Sequence, residues 1–151
     1  DAPGHVHFSM KAFLNDTLGL KSALRDGPYR EQALVPASPW LGDEPPASPS
    51  YSYSLEADSL VITWNHKHTG EVFLWVVYFR EQNQWKYRIL NTDQQQLTLP
   101  LYTLVQRNRE ADPGSEPDRI PVSHIAVTAV DRLGNESEAR PRELDVRLSL
   151  P

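Results

Sequence analysis

The sequence contains no cysteine and only one methionine in 151 residues. Without thiols there is no disulfide scaffold, no thiolate nucleophile, and no zinc or iron–sulfur centre held by thiolates. Long apolar runs are also missing. The longest, Val72 to Phe79, is far too short for a bilayer-spanning helix, so no transmembrane segment is expected. Basic charge is in deficit: fifteen Lys and Arg stand against twenty Asp and Glu, for a net charge of −5. That balance argues against a nucleic-acid partner. Glycine is sparse, at seven residues. A glycine-rich phosphate loop, a nucleophile elbow and an HExxH helix are all absent, and no cofactor is expected.

Proline is abundant, with thirteen residues. Pro28, Pro36, Pro39, Pro45, Pro46 and Pro49 crowd one stretch. Each fixes φ, removes a donor and biases its predecessor towards extended backbone. This density predicts a linker over residues 28–49, stiffened towards polyproline II. The apolar Leu34, Val35, Trp40 and Leu41 within it are expected to dock at a domain junction.

Before the linker, His5 to Ser9 reads as a short strand. Ala12, Phe13, Leu14, Leu18, Leu20, Ala23 and Leu24 follow at helical spacing and predict an amphipathic helix, weakened by Asn15 and Gly19. One strand and one helix cannot enclose a core, so residues 1–27 look like an element cut from its neighbours. The stripe is expected to dock elsewhere or to fray.

After the linker the period becomes two. Ser50 to Leu55 and Leu60 to Asn65 predict strands, the second placing Leu60, Ile62 and Trp64 on one face. Glu71 to Glu81 is apolar on both faces, as a central strand would be. Gln82-Asn83 turns it into Gln84 to Leu90, an expected edge strand. Gln95 to Leu101 follows. Arg107 to Pro121 reads as a long loop. Ile125, Val127 and Ala129 then alternate within His124 to Val130, Asp131 to Asn135 is a turn, and Glu143 to Leu150 alternates again. About seven strands in about 100 residues predict a mainly β fold, an immunoglobulin-like β-sandwich over residues 50–151.

Two resemblances agree with this. Pro45-Pro46-Ala47, Leu60-Val-Ile-Thr-Trp64, Trp75-Val-Val-Tyr-Phe-Arg80 and the run from Ile125 through Ala-Val-Asp, Gly134-Asn135 and Ser137 resemble a fibronectin type III domain. The resemblance departs in one respect: Val122 to Val130 holds no tyrosine, so the tyrosine corner of such sandwiches is missing or replaced. At the front, Gly4 to Leu14, Ala33-Leu34-Val35-Pro36 and Pro39-Trp40 resemble the barrel exit of bacterial family-10-like glycosyl hydrolases, often envelope lipoproteins. This second resemblance implies that residues 1–27 are the last strand and helix of a (β/α)8 barrel lying upstream. It implies a non-catalytic C-terminal accessory domain that packs against that barrel, in the cell envelope or outside the cell. No catalytic motif of that family can be placed on these residues.

The candidate chemistry is thin. Glycoside hydrolysis needs two carboxyl groups facing each other, about 5–5.5 Å or 6.5–9.5 Å apart. Glu44, Glu56, Asp58, Glu71 and Asp131 fall in turns or at strand ends, and nothing in the sequence makes any two converge. His66 and His68 flank Lys67, and His5 and His7 share a strand face, but neither pair has a third ligand at metal-site spacing. Asn15-Asp-Thr17 and Asn135-Glu-Ser137 match the glycosylation pattern, as many sequences do by chance. Aromatic residues are the remaining candidates, because sugar rings stack their C–H faces on exposed indoles. Trp64 is expected in the core. Trp85 and Tyr87, on the expected edge strand, are the candidates for binding a polysaccharide.

Overall fold

The computed structural model describes residues 10–27, 29–30, 32–105 and 117–146. The expected strand from His5 to Ser9 lies outside them. The chain divides into two compact units, Asp1–Ala33 and Leu34–Pro151.

In the first unit the single expected helix is two short ones, α1 (Met10–Leu14) and α2 (Leu20–Asp26). Three left-handed residues break it: Asp16, Leu18 and Gly19, at φ 46°, 55° and 72°. Glycine adopts this conformation freely, and aspartate tolerates it when its side chain bonds locally. The Asp16 carboxylate accepts from the backbone N–H of Lys21 (2.7 Å) and Ser22 (3.2 Å) and from the Ser22 hydroxyl (2.8 Å). Neither helix has a buried residue, and Leu14 and Leu18 of the apolar stripe are exposed.

The Ser22 hydroxyl, helped by the two N–H groups, holds the Asp16 carboxyl below its ordinary value. A lowered folded-state pKa stabilises the turn above the unfolded value, and that contribution is lost as pH falls through the folded one. Acidification is therefore expected to free the Ser22 amide, read as a lower protection factor once exchange is referred to the intrinsic rate at each pH. Asp16→Ala should show that low protection at neutral pH and no further loss of protection in acid.

The second unit is a fibronectin type III-like β-sandwich. One sheet has the order β1-β2-β5, with β1 Ser50–Glu56, β2 Ser59–Asn65 and β5 Gln96–Pro100. The other has the order β4-β3-β8-β9, with β3 Leu74–Glu81, β4 Gln84–Asn91, β8 His124–Val130 and β9 Arg142–Glu143. All pairings are antiparallel, and β3 lies between β4 and β8. Alternate residues of each sheet meet in one core. Leu60, Ile62, Trp64 and Leu99 come from the first sheet, and Trp75, Val77, Phe79, Ile125, Val127 and Ala129 from the second. At its centre Trp75 is fully buried and meets Trp64 edge-on, with ring centroids 6.3 Å apart. The β3–β4 turn places Gln82 and Asn83 both at positive φ, as a two-residue hairpin matching strand twist requires.

Two expectations are corrected. The polar stretch ending at Pro121 is not all loop: β7 (Asp118–Pro121) pairs with β6 (Tyr102–Val105), although residues 106–116 lie outside those described. Among the described residues the last strand is only β9, whose Arg142 and Glu143 pair with β8, and the Val146 N–H turns back to Leu144 O; the rest of the expected strand, residues 147–150, lies outside those described.

The missing tyrosine corner has a substitute. The Tyr51 hydroxyl, from β1 of the opposite sheet, donates to the backbone carbonyls of Ile125 and Arg140. It thereby ties β1 to β8 and to the segment leading into β9. Burial raises the pKa of this hydroxyl, with the Arg142 guanidinium opposing the shift, so it remains a donor.

Candidate functional site

Two surfaces of the sandwich unit carry the residues singled out from the sequence. The first is the part of the proline-rich segment in this unit, a strap of residues 34–49, which is pinned to the β8–β9 turn. Asp131 builds that turn: its Oδ1 accepts from the N–H of Leu133 and Asn135, both at 2.8 Å, and its Oδ2 from the Asn135 amide at 2.9 Å. Gly134 supplies the left-handed residue, at φ 83°. A β-carbon there would lie 2.9 Å from Val35 O, 3.0 Å from Pro36 O and 3.1 Å from Ala37 Cα. Only glycine lets the strap backbone approach so closely.

Hydrogen bonds hold the strap along its length. The Ser38 N–H donates to Leu133 O (2.8 Å), and the Asn135 amide donates to Gly42 O (3.0 Å). The Ser48 hydroxyl donates to Glu138 O (2.9 Å), and Pro46 and Pro49 are buried. His66 ties down the end of the strap. Its Nδ1 accepts from the His68 N–H (3.1 Å), so the proton sits on Nε2, which donates to Ala47 O (2.7 Å). The His66 ring also packs on Trp75, with centroids 5.9 Å apart. Asn135 is itself buried with its amide engaged, so its match to a glycosylation pattern is structural coincidence.

The segment from 34 to 49 is thus part of the sandwich unit, with its backbone hydrogen-bonded to the β8–β9 turn. Its apolar side chains nevertheless point into solvent. Val35 is 77% exposed, Trp40 78% and Leu41 67%, while Leu34 is half-buried. Phe73, beneath the Arg132 guanidinium on the same turn, is also exposed.

The structure brings together three carboxylates whose convergence the sequence did not indicate. Glu44, Glu71 and Asp131 line one open cleft of about 430 Å³ with Pro45, Pro46 and Arg132. Asp131 is already committed to three N–H donors of the turn. Glu56 and Asp58 lie elsewhere, at the β1–β2 turn, where Asp58 meets Arg119 at 3.4 Å. Among the described residues no three His, Asp or Glu side chains form a group able to hold a metal ion. His66 and His68 are neighbours in the strap's anchor, with centroids 6.3 Å apart.

The second surface is the outer face of the four-stranded sheet. Register places Trp85, Arg80 and His124 in one row across β4, β3 and β8, and Tyr87, Tyr78 and Ala126 in the next. Trp85 is 45% exposed, and β4 is an edge strand. Tyr87 is half-buried and leans on Tyr78, with centroids 6.1 Å apart. Tyr78 and Thr128 both donate to Glu136 Oε1, at 2.7 and 2.6 Å. Burial, and then this hydrogen bond, push the Tyr78 pKa far up, so the phenol stays protonated. The aromatic residues on this face follow from the period-two pattern, but nothing in the sequence singles out Arg80, His124 and Glu136. The signal was available only through register.

No protein-family model matches the chain. A relative is found in the glycosyl hydrolase YngK of Bacillus subtilis (strain 168), at 31% identity over 144 residues. The chain is a distant homologue of a glycosyl hydrolase. The match covers 92% of this chain and 26% of the relative, so the chain spans about a quarter of that protein's length. Among solved structures, the chicken CNTN1 FN1-FN3 domains align with 66% of this chain and 30% of theirs, at 13% identity and TM-score 0.45. The glycoside hydrolase domain of Endo-D from Streptococcus pneumoniae R6 aligns with 68% of this chain and 15% of its own, at 24% identity and TM-score 0.42. Among the described residues no helix is long and apolar enough to cross a membrane.

Proposed function

We propose that this chain is a non-catalytic C-terminal accessory domain of a glycoside hydrolase, which packs against and positions the catalytic barrel. In this reading residues 1–27 are the last strand–helix element of that barrel, residues 28–49 the connection, and residues 50–151 the sandwich. The protein would work in the bacterial envelope or outside the cell, and its barrel is of the family-10-like kind.

The observation that carries the proposal is the strap. Its backbone is held by the β8–β9 turn, yet Val35, Trp40 and Leu41 remain in water. A fixed apolar patch in solvent marks a surface that a partner covers. The barrel is the occupant best placed to do so, because the strap is the segment that joins the two. The relative is also almost four times the length of the matched region.

The test uses the longer protein that includes the barrel. Trp40→Ala with Leu41→Ala is expected to weaken docking by about 2 kcal/mol or more, as loss of a buried tryptophan anchor does. Protease should then cut the connection faster, and scattering should show the two domains separating. Unchanged cleavage and dimensions would reject the docking role. Hydrolysis of a glycan by the purified 151-residue chain would reject the accessory role.

A second reading, a carbohydrate-binding module, is favoured by the exposure of Trp85 on an open sheet face. Glycan-array binding that drops with Trp85→Ala or Tyr87→Ala would support it, and its absence above background would remove it.

A further inference from the structure

We infer that the outer face of the four-stranded sheet holds a site for an acidic saccharide, with Trp85 taking a sugar ring and Arg80 its carboxylate. The inference rests on the second reading above and names its ligand.

The row Trp85–Arg80–His124 is the reason. Adjacent strands lie about 4.8 Å apart, so side chains on β4 and β8 start about 9.6 Å apart, with β3 between them. The Trp85 and His124 rings are only 6.2 Å apart between centroids. They therefore lean towards each other above Arg80, which is in register with both. The Arg80 Nε is buried and, among the described residues, has no hydrogen-bond partner. Among the described residues no carboxylate lies within ion-pair distance of this guanidinium. Glu136, on the same face, is already the acceptor for Tyr78 and Thr128. Glu143 stands in register with His124, beyond the row. Arg88 belongs to the other face, where it covers Phe79.

A buried, unsatisfied donor on a charged group is costly. Such a group is completed by water, an ion or a ligand. The guanidinium is a planar fork suited to carboxylate oxygens. The half-exposed indole beside it offers an apolar face of the size of a sugar ring. One ligand matches both neighbours: a saccharide bearing a carboxylate, as uronic acids do. A neutral sugar would occupy Trp85 and leave Arg80 unpaired. An acidic peptide would pair with Arg80 but has no rigid ring to stack.

Titrating the 151-residue chain with an oligogalacturonate, its methyl ester and a polyglutamate peptide tests this, with Trp85 fluorescence and the Arg80 Nε–H resonance as readouts. The oligogalacturonate should shift both signals, and the ester should bind about tenfold more weakly or worse, the loss of a charged hydrogen bond. Arg80→Gln should abolish that preference, and Arg80→Lys should restore part of it. Trp85→Ala should weaken both sugars. Equal binding of acid and ester, indifferent to Arg80→Gln, would overturn the acidic specificity and leave the carbohydrate reading standing. Failure of both sugars would overturn both, and polyglutamate binding as tightly as the sugar would overturn the saccharide assignment. If Arg80→Gln does not fold, the acid-to-ester ratio and Arg80→Lys still decide.

Discussion

Gly134→Ala is expected to lift the strap from the β8–β9 turn. At φ 83° an alanine carries the left-handed penalty, about 1–2 kcal/mol. Its methyl group would also meet the strap backbone, at 2.9 Å from Val35 O, 3.0 Å from Pro36 O and 3.1 Å from Ala37 Cα. None of these is the far end of a flexible side chain, so the strap must move. The Ser38 N–H to Leu133 O bond and the Asn135 amide to Gly42 O bond should be lost with it. We expect a total near 3 kcal/mol, at the upper end for single strained positions. The specific readout is hydrogen exchange at Ser38, which should rise towards the unprotected rate while the β3 amides stay protected. Unchanged exchange at Ser38 would mean that the strap is not held by this approach.

Tyr51→Phe should destabilise the sandwich by about 1–3 kcal/mol, the range for stranding buried acceptors. The substitution removes one oxygen and keeps the ring. The Arg142 guanidinium, 4.9 Å from the ring centroid, keeps its stacking partner. What is lost is the hydroxyl bridge to Ile125 O and Arg140 O. Those carbonyls belong to β8 and to the segment entering β9, so the loss separates the sheets along one edge. Tyr51→Ala should cost more, about 3–5 kcal/mol, because the ring leaves a cavity among core residues. Chemical denaturation of the two variants separates the contributions. A Phe variant as stable as the parent would show that the hydroxyl is not the replacement for the tyrosine corner.

Much of this architecture is written in short-range pattern. Leu60, Ile62 and Trp64 alternate because β2 has one face in the core, and all three are buried. Val72 to Phe79 lacks alternation because β3 is central: Val76, on its outer side, is as buried as Val77 on its inner side. Asn83 and Gly134 announce their turns as residues that tolerate left-handed backbone. Strand ends were less legible. Asp118–Pro121 is too short and too polar to stand out from a loop, and it becomes a strand only because β6 lies beside it. The break in the first helix was hinted at by Gly19, but Leu18 at φ 55° contradicts its own preference.

The candidate sites are less legible. Trp85 and Tyr87 stand out because an edge strand shows its aromatic residues in its own period. Arg80, in the neighbouring strand, gives no such signal, since cross-strand neighbours depend on register. The carboxylates Glu44, Glu71 and Asp131 look scattered in the sequence because a strap, a turn and a strand end share no sequence interval. They line one cleft all the same.

By itself, the sequence determined the elements: a β-sandwich, a proline-stiffened stretch before it, and no cysteine with which to tie the two together. The absence of cysteine left the joining to non-covalent contacts, and only the tertiary structure decided what those contacts are. Proline fixes a backbone angle and removes a donor, which makes a segment extended but says nothing about what it lies against. Here it lies against Gly134 and Asn135, almost 100 positions further along the chain. Close approach and hydrogen bonding act through space, and a linear pattern records only what lies within a few residues.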